Sequence, residues 1–294
     1  MSDYFRQNGA NTTFLSTESW VILCDIEQAI KTKIEAIGTP LKDWNISINY
    51  GVKTGYNEAF IIDGKKKEEL IVEDPKSAEI IRPLLRGRDI KRYSYEFADL
   101  YIITTFPSLK INIDDYPAVK QHLMSFGYDR LKQTGDGGAR KKTNNQWFET
   151  QDSINYWEDF YKQKIIWGEI SDSPKFSIEL EGKYINEATT FLMVGESLLY
   201  LISFLNSKIS EYFFSKIGTT TGVGTVRWKK FTIEQLFVPK ICPSLQKQFE
   251  DITIQIINNT KNNKDSSSLF KQINSLTYEL FEFSAEEIEL IENN

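Results

Sequence analysis

Histidine occurs once in this 294-residue chain and cysteine twice. A single imidazole, His122, excludes two-histidine metal motifs and confines any Ser-His-Asp triad to one position. His122 lies in a helix-like stretch between Val119-Lys120-Gln121 and Leu123-Met124, where a packed or surface residue is expected rather than a catalytic one. Cys24 and Cys242 build neither a four-cysteine zinc site nor a disulfide framework, and two isolated thiols suit a reducing cytoplasm. No run approaches eighteen apolar residues, so no membrane-spanning helix is expected. The opening Met-Ser-Asp-Tyr-Phe-Arg-Gln-Asn lacks a basic segment followed by an apolar stretch, so it does not read as a secretion signal.

What remains is an ordinary globular composition, 40% hydrophobic and 26% charged, which excludes a disordered chain and is ample for a real core. The formal net charge is −6, which by itself argues against a polyanion as partner. Its distribution reverses that conclusion. Glu279, Glu282, Glu286, Glu287, Glu289 and Glu292 stand in a C-terminal segment, 276–294, that has no Lys or Arg, so residues 1–275 sum to zero. Within that neutral body the cations cluster. Arg82, Arg86, Arg88, Lys91 and Arg92 face the single acid Asp89, and Arg130, Lys132, Arg140, Lys141 and Lys142 face Asp136. Lys216, Arg227, Lys229 and Lys230 lie in a stretch without any acid. Phosphate binding depends on local potential, and such patches suit a groove for a polyanion.

Periodicity predicts an amphipathic helix over 17–37, capped by Thr17 and ended by Gly38-Thr39-Pro40. Trp44–Tyr50 alternates as a strand does. Gly51 to Gly55 reads as a turn before a strand at Ala59–Ile62, and Asp63-Gly64-Lys65 reads as another turn. A helix is predicted over Asp74–Leu85 with Pro75 near its start. Strands are predicted at Leu100–Thr104, Ile165–Trp167, Phe176–Ile178 and Phe191–Val194. Tyr116–Gln133 reads as a helix, Thr134–Asn145 as a mobile loop, Leu198–Ile217 as a helix and Gly218–Thr225 as a flexible loop. Beyond Val238-Pro239 the pattern is helical: Leu245, Phe249, Ile252 and Ile256 mark one helix, and Leu269, Ile273, Leu276 and Leu280 a second. Ser284-Ala285-Glu286-Glu287 is a capping box that opens a last helix. The expected fold is α+β: a helical linker over 1–43, a central mixed β-rich domain over 44–239, and a helical region over 240–294.

Catalytic signatures are scarce. All eight prolines are isolated, so the Pro-Pro loop with which DNA amino-methyltransferases hold a flipped base is absent. Gly222-x-Gly224 lacks the third glycine of a dinucleotide fingerprint, and no Walker lysine motif occurs. Asp172 with Glu181-Gly182-Lys183 loosely fits a magnesium-dependent nuclease, although Glu181-Gly182 also reads as a hairpin turn. These residues look like a binder rather than a catalyst.

The segment Gly51-Val52-Lys53-Thr54-Gly55-Tyr56-Asn57-Glu58-Ala59-Phe60-Ile61-Ile62 is more specific. It resembles the opening of the TaqI-like C-terminal specificity domain, found behind the adenine-specific methyltransferase domain of type IIG restriction–modification enzymes. Further pieces match in order: Leu84-Leu85-Arg86-Gly87-Arg88-Asp89-Ile90-Lys91-Arg92-Tyr93, then Tyr200-Leu201 through Lys208, then Arg227-Trp228 and Phe237-Val238-Pro239. Ile273–Tyr278 and Ser284–Ile291 resemble the family's helical tail. The resemblance implies a module that recognises a short double-stranded DNA sequence while a separate methyltransferase domain flips an adenine. It implies no catalysis and no cofactor for this chain itself. S-adenosylmethionine and Mg2+ are implied for a parent enzyme, whose methyltransferase and nuclease domains would be partners. The expected location is the cytoplasm.

On this resemblance Lys53, Thr54, Tyr56 and Asn57 are expected at a common edge set by Gly51 and Gly55. Asn pairs bidentately with adenine, Lys and Arg pair with guanine, and Thr touches a thymine methyl. Arg86, Arg88 and Arg92 are expected on a turn at Gly87, with an Arg88–Asp89 ion pair as the structural alternative. Arg140, Lys141 and Lys142 are expected to enter a groove or clamp phosphates, with Trp147 behind them. Arg227, Lys229 and Lys230 are expected on phosphates, with Trp228 packed. The alternatives from other classes are the magnesium nuclease at Asp172, Glu181 and Lys183, and a protein-interaction domain acting through the terminal helices.

Overall fold

The computed structural model describes residues 23–217, 219–220 and 226–293. In chain order it comprises α1 (Asp25–Ile37), β1 (Gly38–Pro40), β2 (Ile46–Tyr50), α2 (Asn57–Phe60), β3 (Ile61–Asp63), α3 (Gly64–Glu73), β4 (Ile81–Leu85) and β5 (Leu100–Ile103). Next come α4 (Pro117–Met124), α5 (Tyr128–Leu131), β6 (Lys164–Gly168), β7 (Ser177–Glu179), β8 (Ile185–Asn186) and β9 (Thr190–Gly195). The chain closes with α6 (Leu198–Leu205), α7 (Lys208–Ile217), β10 (Phe237–Pro239), α8 (Pro243–Lys261), α9 (Ser267–Leu280) and α10 (Ala285–Glu292). Short bridges and 3-10 turns join them. The α+β class expected from the sequence is the one observed.

The chain divides into two compact units. One comprises Ile46–Ile170 and Lys175–Leu198; the other comprises the described residues of Met1–Asn45, Ser171–Pro174 and Leu199–Asn294. Segment 44–239 thus contributes to both.

The first unit holds two four-stranded sheets, in the orders β7-β6-β9-β2 and β8-β4-β5-β3. In the first sheet β9 is antiparallel to both neighbours, with Met193 opposite Ile48 and Ile165. In the second, β4 is antiparallel to β5 and parallel to β8. One buried cluster includes Val52, Leu84, Leu85, Ile102, Phe106, Phe160, Ile166 and Leu192. Another gathers Phe60, Leu70, Ile81, Ile103, Val119, Leu123 and Leu131. At the margin of the first sheet a fully buried Lys164 meets Glu179 at 2.5 Å and donates to the Phe160 carbonyl at 2.7 Å. Glu179 in turn accepts the backbone N–H groups of Glu181 and Lys183, so every strong partner of the pair is internal.

In the second unit β1 and β10 pair antiparallel, and a Cβ at Gly38 would stand 2.6 Å from that of Phe237. Ile30 and Ile34 of α1, Phe249, Ile252 and Ile256 of α8, and Ile273 of α9 are buried. Lys33 meets Glu287 of α10 at 2.7 Å, and Lys216 meets Glu27 at 2.7 Å. Ser284 and Glu287 form the predicted capping box. Among the tail glutamates Glu287 is buried.

Several expectations are corrected. Asp74–Leu85 is not a helix but a 3-10 turn, Pro75–Glu79, followed by β4. Pro83 falls in what would have been the helix interior, where it lacks the donor and clashes, and β pairing on both sides of β4 decides the matter. Asp63-Gly64-Lys65 is not a turn; the Asp63 side chain accepts from Lys66 N at 2.8 Å and starts α3. Ala59 and Phe60 lie in the helical turn α2, and only from Ile61 is the chain a strand. The helix expected over Tyr116–Gln133 breaks at Gly127, whose φ is 89°. Leu198–Ile217 is two helices interrupted at Asn206-Ser207. Cys24 immediately precedes α1; Thr17 and Trp20 lie outside the described residues, as do Gly218 and 221–225 of the expected flexible loop.

Candidate nucleic-acid interface

The interface starts from two glycines with different reasons to be glycine. Gly55 has φ 79° and makes the turn. Gly51 is required by close approach, since a Cβ there would lie 2.0 Å from the Glu187 carbonyl oxygen. Around that contact Gly51 N donates to Thr190 O at 2.9 Å and Val52 N to Asn186 O at 2.7 Å. The 51–57 segment is thereby fixed against the 186–190 segment.

This geometry divides the four residues expected at one edge. Lys53 and Asn57 are exposed. Thr54 is 1% exposed, donates to Asn57 Oδ1 at 2.6 Å and accepts from Tyr56 N at 3.1 Å. It therefore orients the loop instead of presenting a methyl group to DNA, a correction to its expected role. Tyr56 is half-buried against Phe126, with the Arg130 guanidinium 4.3 Å from its ring centre.

Gly87 opens a short 3-10 turn that separates two arginines. Arg86 is the partner of Asp89, donating through Nε at 2.9 Å and Nη2 at 2.8 Å. The ion pair weighed at Arg88 is thus made by Arg86 instead. Burial would raise the Asp89 pKa, but the Arg86 side chain and backbone N–H outweigh it and hold the carboxyl below its usual range. Arg88 is exposed and makes no ion pair with a described residue. Lys91 is exposed, and Arg92 is half-buried beside the Tyr93 ring.

The third cluster holds the largest surprise. Arg140, expected in a groove, is 2% exposed. It donates to Leu131 O at 2.7 Å, Thr54 O at 2.7 Å, Glu149 O at 2.8 Å and Trp147 O at 2.6 Å, and stacks over Phe60. Burial, with Arg130 nearby, pushes its pKa down to about 10. Loop 134–145 is therefore built around an internal strut, with Gln133 Nε2 adding bonds to the Gln146 and Glu149 carbonyls at 3.1 Å. Lys141 and Lys142 are the exposed cations that this loop presents.

In the other unit Arg227, Lys229 and Lys230 are half-buried, and Lys230 lies 3.7 Å from Glu234. Trp228 is packed as expected, against Phe214 and with its indole N–H on the Ser171 carbonyl at 3.2 Å.

Asn57, Arg86 and Arg88 come together at an open cleft of about 530 Å³ in the first unit. Its remaining lining includes Glu58, Ile61, Leu100, Glu187 and Thr189. Glu187 and Thr189 belong to no motif seen in the sequence. They reach the cleft only through the β8–β9 connection, and a Glu-Ala-Thr triplet carries no linear signal. The expected nuclease residues Glu181 and Lys183 sit on the turn at Gly182, φ 63°, gripped by Glu179. Among the described residues no group of three or more His, Cys, Asp or Glu could hold a metal ion.

The profile of the TaqI-like C-terminal specificity domain matches residues 82–238, more than half the chain. The chain belongs to that family. It is a specificity module of the type II restriction–modification kind, as the ordered motifs implied. The type II methyltransferase M.MjaIV of Methanocaldococcus jannaschii is 24% identical over 280 residues, covering 89% of this chain and 88% of that protein. The type IIL restriction-modification enzyme MmeI, solved in complex with DNA, shares the fold with a TM-score of 0.61 at 12% identity. The type IIG restriction endonuclease BpuSI does so with a TM-score of 0.53 at 16% identity. Each alignment takes in 87% of this chain but only 36% of MmeI and 32% of BpuSI, so the chain spans about a third of either enzyme. No helix among the described residues is long and apolar enough to cross a membrane.

Proposed function

We propose that this specificity domain reads a short sequence in double-stranded DNA and holds the duplex for adenine N6 methylation and cleavage by separate domains of a type IIG-like system. The observation that carries the reading is a set of exposed cations, with one exposed amide, on hydrogen-bonded turns. Lys53 and Asn57 follow the Gly51 contact, Arg88 follows Gly87, and Lys141 and Lys142 stand on the Arg140 strut. Asn57 and Arg88 are placed to meet base edges. Lys53, Arg92, Lys141 and Lys142 would meet phosphates, and on the other unit Arg227, Lys229 and Lys230 would do the same. Arg86, Thr54, Tyr56 and Arg140 support that surface from within. Recognition would be the work of segment 44–239, with 1–43 and 240–294 as its helical flanks. A cytoplasmic site of action follows from such a partner.

S-adenosylmethionine and Mg2+ would serve the parent activity, and the described residues of this chain do not fit them. The Gly135–Gly138 run lies in a loop braced by Arg140 rather than after a strand, and no acidic cluster accompanies it.

The test is selection of bound duplexes from a randomised pool at low and moderate salt. One enriched motif that survives added salt is expected. The logarithm of affinity should fall with the logarithm of salt by about 0.9 for each phosphate neutralised. Binding that is indifferent to both sequence and salt would sink the proposal.

A further inference from the structure

We infer that Glu187 reads a base, accepting a hydrogen bond from the exocyclic amino group of a cytosine whose paired guanine is met by Arg88. The inference rests on the proposed function and adds a specificity-determining residue to it.

Glu187 is held in place by its own backbone. Its N–H donates to Leu85 O at 2.9 Å, and its carbonyl accepts Thr190 N at 2.9 Å and Thr190 Oγ1 at 2.6 Å. That same carbonyl abuts Gly51. The carboxylate is aimed by the Thr189 hydroxyl, which donates to Oε2 at 2.6 Å. Thr189 in turn packs at Gly87, where an added Cβ would stand 3.3 Å from Thr189 Oγ1. The acceptor and the arginine turn are therefore parts of one fixed arrangement.

The cation whose charge Glu187 feels, Arg86, is already bound twice to Asp89. Glu187 makes no ion pair with any described residue, and Arg88 on the same cleft makes none either. An acid here opposes phosphate, so this opening is ill suited to the DNA backbone. It suits a base edge, which presents donors and acceptors side by side. In the major groove a carboxylate matches cytosine N4, and an arginine matches guanine O6 and N7. A cleft with both lining it has the complement of one C·G pair.

The experiment is the same duplex selection carried out on the whole chain, wild type beside Glu187→Ala and Glu187→Gln. The wild type should enrich a motif containing a C·G pair. Glu187→Ala should keep the other positions while losing about tenfold or more of the cytosine preference at one of them. Glu187→Gln, which keeps the shape and adds an amide donor, should move that position toward adenine. Equal thermal midpoints certify the fold, and if the alanine variant fails to fold, the glutamine variant decides alone. A motif unchanged at every position, or affinity lost evenly across all positions, overturns the role of Glu187 and leaves the proposed function standing. No enrichment by the wild type overturns the proposed function itself, and this inference with it.

Discussion

At the scale of single residues, adjacent cations do different work. Arg140 and Lys141 are neighbours in one basic run, yet one is an internal strut and the other faces water. The planar fork of a guanidinium can serve four carbonyls from three segments; an ammonium cannot. Arg140→Ala should therefore cost about 3 kcal/mol or more in a urea titration, because several carbonyls lose their donor together. A loss under about 1 kcal/mol would show that loop 134–145 holds itself. Lys141→Ala and Lys142→Ala should instead leave stability within about 0.5 kcal/mol and each reduce the salt slope of DNA binding by about one unit. His122 makes a third case. Its Nε2 lies 3.0 Å from Ala59 O, and burial outweighs that contact to lower its pKa below the ordinary 6.5. The unfolded chain then binds the proton more readily, so this contribution is complete above pH 6.5 and is lost as the pH falls toward the folded value. His122→Gln should flatten stability in that window; an unchanged pH profile would refute the assignment.

At the scale of elements, β6 and β7 are joined by a pair that admits no substitute on one side only. Removing Glu179 leaves the Lys164 ammonium fully buried without its counter-charge, and strips the turn at Gly182 of its two backbone contacts. Glu179→Ala should destabilise the fold by about 3–5 kcal/mol, read by denaturant melting. The double replacement Lys164→Met with Glu179→Leu should recover much of that loss; failure to recover would mean the turn contacts carry the greater share. The 51–57 segment depends equally on contact. Gly51→Ala must displace the Glu187 backbone, so it should impair DNA selection as well as stability, whereas substitution at exposed Gly137, with nothing within 4 Å, should alter neither appreciably.

At the scale of the whole molecule, a chain of net charge −6 is proposed to hold a polyanion. The acidic tail and the basic clusters must then act at different ranges. Glu279, Glu282, Glu286 and Glu289 are exposed, whereas Glu287 is tied to Lys33 and to its own capping box. Converting Glu279, Glu282, Glu286 and Glu289 to glutamine should raise the association rate with DNA at low salt. The effect should vanish at physiological salt, where the Debye length is about 8 Å. An increase that persists at high salt would mean the tail touches the duplex directly.

The sequence by itself determined the family, the α+β class, six strands (β2, β3, β5, β6, β7 and β9) to within a residue or two, the capping box of α10 and the clustering of cations. These are written in local order: alternation, cap chemistry, and motifs of fixed spacing. It also carried a warning about β4, since Pro83 could not sit inside a helix. The tertiary structure alone decided which cations face outward. Burial of Arg140 and capture of Arg86 by Asp89 depend on carbonyls and carboxylates brought near by folding, and linear charge runs do not distinguish them from Lys141 or Arg88. The same holds for Glu187 and Thr189, which meet the arginine turn only because β8 lies parallel to β4 and Gly51 lets the chain close on the Glu187 carbonyl. Side-chain direction at such a cleft is a property of packing between distant segments, and no local pattern encodes it.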